Sequence, residues 1–212
     1  MDIDAVIFDS DGTLVDSETL SAAVIVDMFA EAGIDTTPAE VLNQYRGRQF
    51  AAYVAEICAT HACLDADRFT ASFRERSELR YRESLQPMPG AFDFVSRLPL
   101  EKCVASNGPR AKIEACLAAT GLLPYFENRI ASAYEVGAWK PDPRLILEAV
   151  RMTNVAPSRC VLIEDSAPGV EAGLAAGVHV IGYALEPDVQ QRFRGRILMA
   201  RDYAEVAALI QH

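Results

Sequence analysis

Ile7-Phe8-Asp9-Ser10-Asp11-Gly12-Thr13 is the stretch of sequence that decides the fold. The apolar run from Ala5 to Phe8 has the composition of a buried β-strand, and open α/β sheets bind ligands where such strands end. Asp9 lies at that end, Asp11 follows two residues later, and Gly12 lets the backbone turn at once. Two neighbouring carboxylates need a positive partner, and Mg²⁺ suits them because it also binds phosphate oxygens. Taken alone, the fragment equally fits a strand followed by an ordinary Asp-Gly turn.

Three further fragments carry polar side chains beside predicted strands and helices. They are Ser106-Asn107-Gly108, Trp139-Lys140-Pro141-Asp142-Pro143 and Glu164-Asp165-Ser166. The first follows a predicted strand from Lys102 to Ala105, and the third follows one from Cys160 to Ile163. The second has two prolines that stiffen the backbone before a helical pattern. Right-handed crossovers would bring the strand ends at Asp9, Ser106 and Glu164 together at one edge of a parallel sheet.

In this order the four fragments resemble the four motifs of the haloacid dehalogenase superfamily of phosphohydrolases. The likeness covers the whole chain and is greatest to the group that contains β-phosphoglucomutases and 6-phosphogluconate phosphatases. Ser106-Asn107-Gly108-Pro109, together with the fragment around Lys140, favours the phosphatases within that group. The resemblance implies a Rossmann-like, doubly wound parallel sheet with an inserted helical cap, and a Mg²⁺-dependent reaction through an aspartyl phosphate.

The hydrophobic pattern divides the chain in agreement with that expectation. Residues 16–86 show only helical patterns, predicted over Ser17–Ala32, 39–45, 50–58 and 68–84, and form the expected all-helical cap. Residues 1–15 and 87–212 form the expected α/β catalytic core, in which predicted strands and helices alternate. The prolines of Pro87-Met88-Pro89 mark the return from the insertion to the core.

The resemblance also assigns the catalytic and metal-binding roles. Asp9 is the expected nucleophile, and Asp11 is the expected general acid for the leaving alkoxide and general base for the attacking water. Asp9 is expected to bind the metal through its side chain, Asp11 through its backbone carbonyl, and Glu164 and Asp165 to complete the metal shell. The pair Glu164-Asp165 also fits an acidic helix start that faces solvent.

We expect the phosphate to be bound by hydrogen-bond donors and a positive charge that are held in place before the substrate arrives. Ser106 and the backbone near Asn107 are the expected hydrogen-bond donors. Lys140 is the expected positive charge that compensates Asp9 and the phosphate. A surface lysine before a proline turn is the other interpretation of Lys140, and it predicts that arginine replaces the lysine without harm.

Substrate specificity is expected in the cap. Arg46 and Arg48 occupy a cap loop that faces the site in related enzymes, and two guanidinium groups suit a carboxylate or a second anionic group. Two solvated arginines on an acidic protein are the alternative. The insertion contains no lysine, which disfavours phosphonoacetaldehyde hydrolase chemistry, and Ser21 stands where β-phosphoglucomutases carry a cap histidine.

Composition limits the partners. The 212 residues carry a net charge of −10, which disfavours nucleic acid and anionic membranes as partners. The acidic start of the chain and the charges within its apolar stretches predict neither export nor a membrane span, and a cytoplasmic monomer or homodimer is expected. Five cysteines without a CxxC pair indicate reduced thiols. Cys58, His61 and Cys63 could bind a soft metal, but ordinary packing is the better interpretation because no fourth ligand is near.

Three hypotheses about function follow. The first is a Mg²⁺-dependent phosphatase for a small sugar phosphate or sugar-acid phosphate, with 6-phosphogluconate as the specific guess. The second is a phosphosugar mutase of the β-phosphoglucomutase type, which Ser21 disfavours. The third is a non-catalytic protein that binds phosphorylated metabolites, which the presence of both Asp11 and Lys140 disfavours.

Overall fold

A six-stranded parallel sheet forms the centre of the α/β unit. The computed structural model describes residues 2–45, 50–126 and 128–210. The strands are β1 (Ala5–Phe8), β2 (Glu101–Ser106), β3 (Ile130–Ser132), β4 (Cys160–Glu164), β5 (His179–Tyr183) and β6 (Leu198–Ala200). Their spatial order is β3-β2-β1-β4-β5-β6, and every neighbouring pair is parallel. The predicted doubly wound parallel sheet is therefore confirmed.

The two central strands are buried along their whole length. Every residue of β1 and of β4 is buried, as expected for strands that are covered on both faces of a sheet. Continuous apolar runs such as Ala5–Phe8 and Cys160–Ile163 are the sequence signature of that environment. The order of the strands reverses its direction at β1, so the ligand crevice is expected beside the carboxyl end of this strand.

Seven helices of the described chain connect and cover these strands, along with short 3₁₀ turns at Leu123–Tyr125 and Pro157–Arg159. For the helices of this unit we use the labels α5 to α11, since four helices precede them in the chain. They are α5 (Ala91–Arg97), α6 (Arg110–Ala119), α7 (Ala133–Val136), α8 (Arg144–Thr153), α9 (Ala167–Ala176), α10 (Pro187–Phe193) and α11 (Tyr203–Ile210). The sequence pattern did not predict α7 or α10, which are only 4 and 7 residues long.

The chain divides into two compact units. One comprises residues 1–15 and 86–212, and the other comprises Asp16–Leu85. The second unit contains α1 (Ser17–Glu31), α2 (Pro38–Tyr45), α3 (Phe50–Thr60) and α4 (Ala66–Ser84). It has its own apolar core, in which the rings of Phe50 and Phe73 stack with centroids 4.2 Å apart. Its function as a cap stays a prediction.

The cysteines agree with the sequence interpretation as reduced thiols. All five cysteines are free thiols, and burial raises the pKa of both Cys103 and Cys116 to about 12. Over the described ranges, no helix combines the length and the apolar character that crossing a membrane requires.

Candidate active site

The sheet register brings three of the predicted motifs together. In β1, Phe8 pairs with Val104 of β2 on one side and with Ile163 of β4 on the other. The backbone N–H of Asp9 donates to the carbonyl of Ile163 at 3.0 Å. Asp9 therefore leaves the sheet beside Glu164 and close to Ser106, although these residues are far apart in the chain.

Lys140 brings the fourth motif to the same place. Its Nζ donates to Oδ1 of Asp9, and it donates to Oε2 of Glu164 at 2.7 Å. The side chain of Lys140 is only 2% exposed, so the interpretation of Lys140 as a surface lysine is wrong. Its backbone N–H donates to Oδ1 of Asn107 at 2.9 Å, which fixes the Lys140 loop against the loop that follows β2.

The charges of this cluster shift one another's titration. Burial raises the pKa of Asp9 above its ordinary value; Lys140 opposes this rise, while Glu164 and Asp11 add to it. Burial alone would lower the pKa of Lys140, but Asp9 and Glu164 together outweigh burial and hold the pKa above its ordinary value. Lys140 therefore remains an ammonium, and Asp9 needs further positive charge to stay ionised.

Three carboxylates can hold a metal ion here. Asp9, Glu164 and Asp165 each offer an oxygen, and these oxygens lie within 4.8 Å of one another. The donor set is all carboxylate oxygen, which suits a hard cation such as Mg²⁺. Glycine is required at position 12 for two reasons. A Cβ there would lie 2.2 Å from Oδ2 of Asp165, and the φ of +80° is one that other residues rarely adopt.

Other residues fix the two acids that follow β4. Oε1 of Glu164 accepts from the backbone N–H and the hydroxyl of Ser166, at 3.0 and 2.6 Å. A Cβ on Gly169 would lie 2.0 Å from the Glu164 carboxylate, so this helix must carry glycine there. Asp165 accepts a long hydrogen bond, 3.4 Å, from the Thr13 hydroxyl. Glu164 is thus shared between Lys140 and Ser166, whereas Asp165 lies on the side of Gly12 and Thr13.

The carboxylate of Asp11 has a different partner from that of Asp9. Its Oδ2 accepts from Nζ of Lys112 at 2.8 Å, and both side chains are 25% exposed. Asp11 does not belong to the group of three carboxylates, which is compatible with metal binding through its backbone carbonyl. The pair with Lys112 was not predicted from the sequence.

Hydrogen bonds within the loop after β2 and from β3 hold this loop. Oγ of Ser106 accepts from the N–H of Gly108 at 3.1 Å, and the hydroxyl of Ser132 donates to the carbonyl of Gly108 at 2.7 Å. Ser106 is buried and lies at the same sheet edge as Asp9. These hydrogen bonds are made without a ligand, as a preorganised donor site requires.

Tyr203, at the start of α11, is a residue of this region that sequence reasoning missed. Its hydroxyl donates to the carbonyl of Thr13 at 2.8 Å, in a buried contact between residues 190 positions apart. Its ring packs on Phe94 and Tyr183. An N-terminal apolar residue of a helix shows no local signal that would have pointed to this contact.

The predicted cap ligands Arg46 and Arg48 lie outside the described residues. The soft-metal candidates are not brought together as a site, since among the described residues the acidic cluster is the group that could hold an ion. Ser21 is buried inside the helical unit, where its Oγ lies 2.6 Å from the hydroxyl of Tyr81.

Comparison with known proteins places the chain in a family. A model of haloacid dehalogenase-like hydrolases matches residues 3–177. The chain is 34% identical to the 6-phosphogluconate phosphatase of Escherichia coli (strain K12) over 187 residues, which are 87% of this chain and 84% of the relative. It is 32% identical to hexitol phosphatase A of the same organism over 181 residues, 82% of this chain and 80% of the relative.

A solved structure of a haloacid dehalogenase family hydrolase is also similar to this chain. The haloacid dehalogenase family hydrolase from Deinococcus radiodurans R1, crystallised with bound phosphate and sodium, is 29% identical and superposes with a TM-score of 0.79. The alignment covers 99% of this chain and 96% of that one. The predicted family and the predicted hydrolase class are confirmed: this chain belongs to the haloacid dehalogenase-like hydrolases.

Proposed function

We propose that this hydrolase is a Mg²⁺-dependent phosphatase that releases phosphate from a small sugar phosphate or sugar-acid phosphate. The observation that carries the proposal is the cluster around Lys140, whose ammonium contacts Asp9 and Glu164 while Asp165 completes a group of three carboxylates. Two of its curated relatives are named as phosphatases of a sugar acid and of hexitols, which supports the substrate class.

The proposed mechanism begins with Asp9. Its carboxylate oxygen attacks phosphorus and displaces the sugar alkoxide, which takes a proton from Asp11. Asp11 then removes a proton from water, which attacks the aspartyl phosphate and returns Asp9 to the carboxylate. Lys140 remains charged throughout and offsets the negative charge that gathers between Asp9 and the phosphate.

A metal ion fits the donor set of the site. Asp9 and Asp165 would hold it through their side chains, Asp11 would hold it through its backbone carbonyl, and Glu164 would reach it while still bonded to Lys140. When bound, Mg²⁺ supplies positive charge to the phosphate oxygens. Ser106 and the backbone near Asn107 would donate hydrogen bonds to the same phosphate.

The decisive experiment removes the nucleophile. We expect Asp9→Asn to abolish phosphate release from p-nitrophenyl phosphate and from sugar phosphates while its circular dichroism spectrum stays unchanged. Asp93→Asn, which changes an exposed aspartate on α5, is the matched control and should keep wild-type turnover. Retained turnover in Asp9→Asn would refute the proposal.

The substrate can be found by a screen for phosphate release over sugar, sugar-acid, hexitol and nucleotide phosphates, with Mg²⁺ and with EDTA. The specific candidate is 6-phosphogluconate. We propose that Arg46 and Arg48 bind the acid group of such a substrate, so Arg46→Ala and Arg48→Ala should raise KM for an acidic sugar phosphate more than for a neutral one. Equal KM values in wild type and both variants would exclude the arginines as ligands.

A mutase makes a different prediction. It would convert β-glucose 1-phosphate into glucose 6-phosphate without loss of phosphate, which ³¹P NMR distinguishes from hydrolysis. Ser21 replaces the histidine expected of such an enzyme, so we expect free phosphate to be the product. A non-catalytic metabolite-binding protein would bind sugar phosphates and release none.

A further inference from the structure

The side chain of Lys112 connects α6 with the loop after β1. Lys112 lies in the first part of α6, and its Nζ donates to Oδ2 of Asp11 at 2.8 Å across 101 positions of sequence. Its aliphatic chain passes along Gly108, where Cδ lies 3.7 Å from the place that a Cβ would occupy. The side chain of Lys112 therefore runs past Gly108 and ends at the carboxylate of Asp11.

Lys112 pairs with Asp11, the acid that is proposed to exchange protons. Lys140 contacts Asp9 and Glu164, whereas Lys112 contacts Asp11. The carbonyl of Gly108 accepts a hydrogen bond from the hydroxyl of Ser132, which joins the loop after β2 to β3. Asp11 is thus attached, through Lys112, to the first turn of α6, which directly follows the loop proposed to bind phosphate.

We propose that Lys112 is a positioning residue that holds the carboxyl group of Asp11 in the place where it exchanges protons with the leaving oxygen and with water. The inference rests on the proposed function. Asp11 lies two residues after Asp9, and the two carboxylates repel each other. Without the bond to Lys112, we expect the side chain of Asp11 to turn toward solvent. The ammonium of Lys112 holds the Asp11 carboxylate through its Oδ2 atom.

This role predicts a dependence on the leaving group. A sugar alkoxide needs a proton as it departs, whereas p-nitrophenolate departs without one. For a sugar phosphate that the wild type hydrolyses, we expect Lys112→Gln to lower kcat by about tenfold or more and to change KM by less than about twofold. In a rapid-mixing experiment, the first turnover of p-nitrophenyl phosphate should change by less than about threefold, because it does not need the acid.

Two further variants complete the experiment. Lys112→Arg keeps a cationic donor and should restore most of the kcat that Lys112→Gln loses. Lys102→Gln is the matched control, because Lys102 lies at the start of β2, where its Nζ donates to the carbonyl of Leu100 at 3.0 Å. It should retain wild-type kinetics, and circular dichroism should show that all three variants are folded.

Three outcomes would overturn the inference. The first is an unchanged kcat for sugar phosphates in Lys112→Gln. The second is an increase confined to KM, which would make Lys112 a substrate ligand. The third is an equal loss in the first turnover of the sugar phosphate and of p-nitrophenyl phosphate. Activity of Asp9→Asn would instead refute the proposed function, so the two failures are distinguishable.

Discussion

At the scale of single residues, Lys140 is the charge on which the site depends. Its side chain is 2% exposed and lies between two buried carboxylates. Removal of one partner from a buried cluster leaves uncompensated charge, which costs about 3 to 5 kcal/mol in the free energy of unfolding. The same ammonium is also a preorganised charge in the proposed transition state.

We therefore predict two effects of Lys140→Met. The free energy of unfolding measured in urea without divalent cations should fall by about 3 to 5 kcal/mol. The value of kcat for phosphate release should fall by about 10²- to 10³-fold, the cost of removing one preorganised donor. Lys140→Arg should also lose activity, because the larger planar guanidinium does not fit a closed site built for a compact ammonium.

Lys102→Met provides the control for both measurements, since its amine bonds to backbone carbonyls at the opposite end of β2. A fully active Lys140→Arg would contradict the assignment, as would a Lys140→Met variant as stable as the control.

How much of the site could be predicted depends on the distance over which each signal acts. Asp9, Ser106 and Glu164 each follow an apolar run in the local sequence, so the place of each at a strand end was predictable. The pairing of Lys112 with Asp11 and of Tyr203 with Thr13 joins residues 101 and 190 positions apart. Neither pairing leaves a mark on the local pattern, because only the packed fold brings the partners together.

At the scale of elements, most helices were predictable from the sequence pattern, but α7 and α10 were not. The first cap helix was expected over Ser17–Ala32 and is found over Ser17–Glu31. The 4-residue helix Ala133–Val136 is too short to show a helical repeat. In the described helical unit, two exposed ion pairs, Arg76–Glu31 and Arg80–Asp27, join α4 to α1.

One of these pairs predicts a pH dependence of stability. Arg76 of α4 donates to both carboxylate oxygens of Glu31 of α1, at 2.6 and 2.8 Å, and this contact lowers the pKa of Glu31 below its ordinary value of 4.5. A lowered pKa in the folded state stabilises the fold above the unfolded pKa, and that contribution disappears as the pH falls through the folded value.

We expect Glu31→Gln to unfold at a lower urea concentration than wild type at pH 7. The difference between the two proteins should shrink steadily below pH 4.5, as Glu31 becomes protonated in both states of the wild type. Glu83→Gln, on the exposed side of α4, is the control and should match wild type at pH 7 and also below pH 4.5. A difference that persists unchanged into acid would show that the ion pair is not its cause.

At the scale of the whole molecule, the sequence predicted that the three motif-bearing strand ends meet, but it did not predict the full order of the six strands. Alternating strands and helices predict a doubly wound sheet, but many orders satisfy that pattern. The order β3-β2-β1-β4-β5-β6 sets β1 between β2 and β4, and so joins loops from both halves of the sheet at one crevice. The carboxylates of Asp9, Glu164 and Asp165 meet there because of this order.

A cation bound at that crevice would link the loops after β1 and β4 and should stabilise the whole fold. Binding to the folded state alone adds about 2.7 kcal/mol when Mg²⁺ is about 100-fold above its dissociation constant. For a chain of this length, that gain raises the melting temperature by about 5 to 10 °C relative to EDTA. The chain is acidic overall, so the experiment must separate this site from general screening of negative charge.

Asp165→Asn makes that separation. It removes a carboxylate from the proposed metal site and should lose most of the increase that Mg²⁺ produces, whereas Asp93→Asn removes the same charge from the surface of α5 and should keep it. Both variants have the same net charge, so a nonspecific effect of Mg²⁺ would raise their melting temperatures equally. Equal increases would mean that Asp9, Glu164 and Asp165 do not hold the ion, and the metal dependence of the proposed reaction would have to be abandoned.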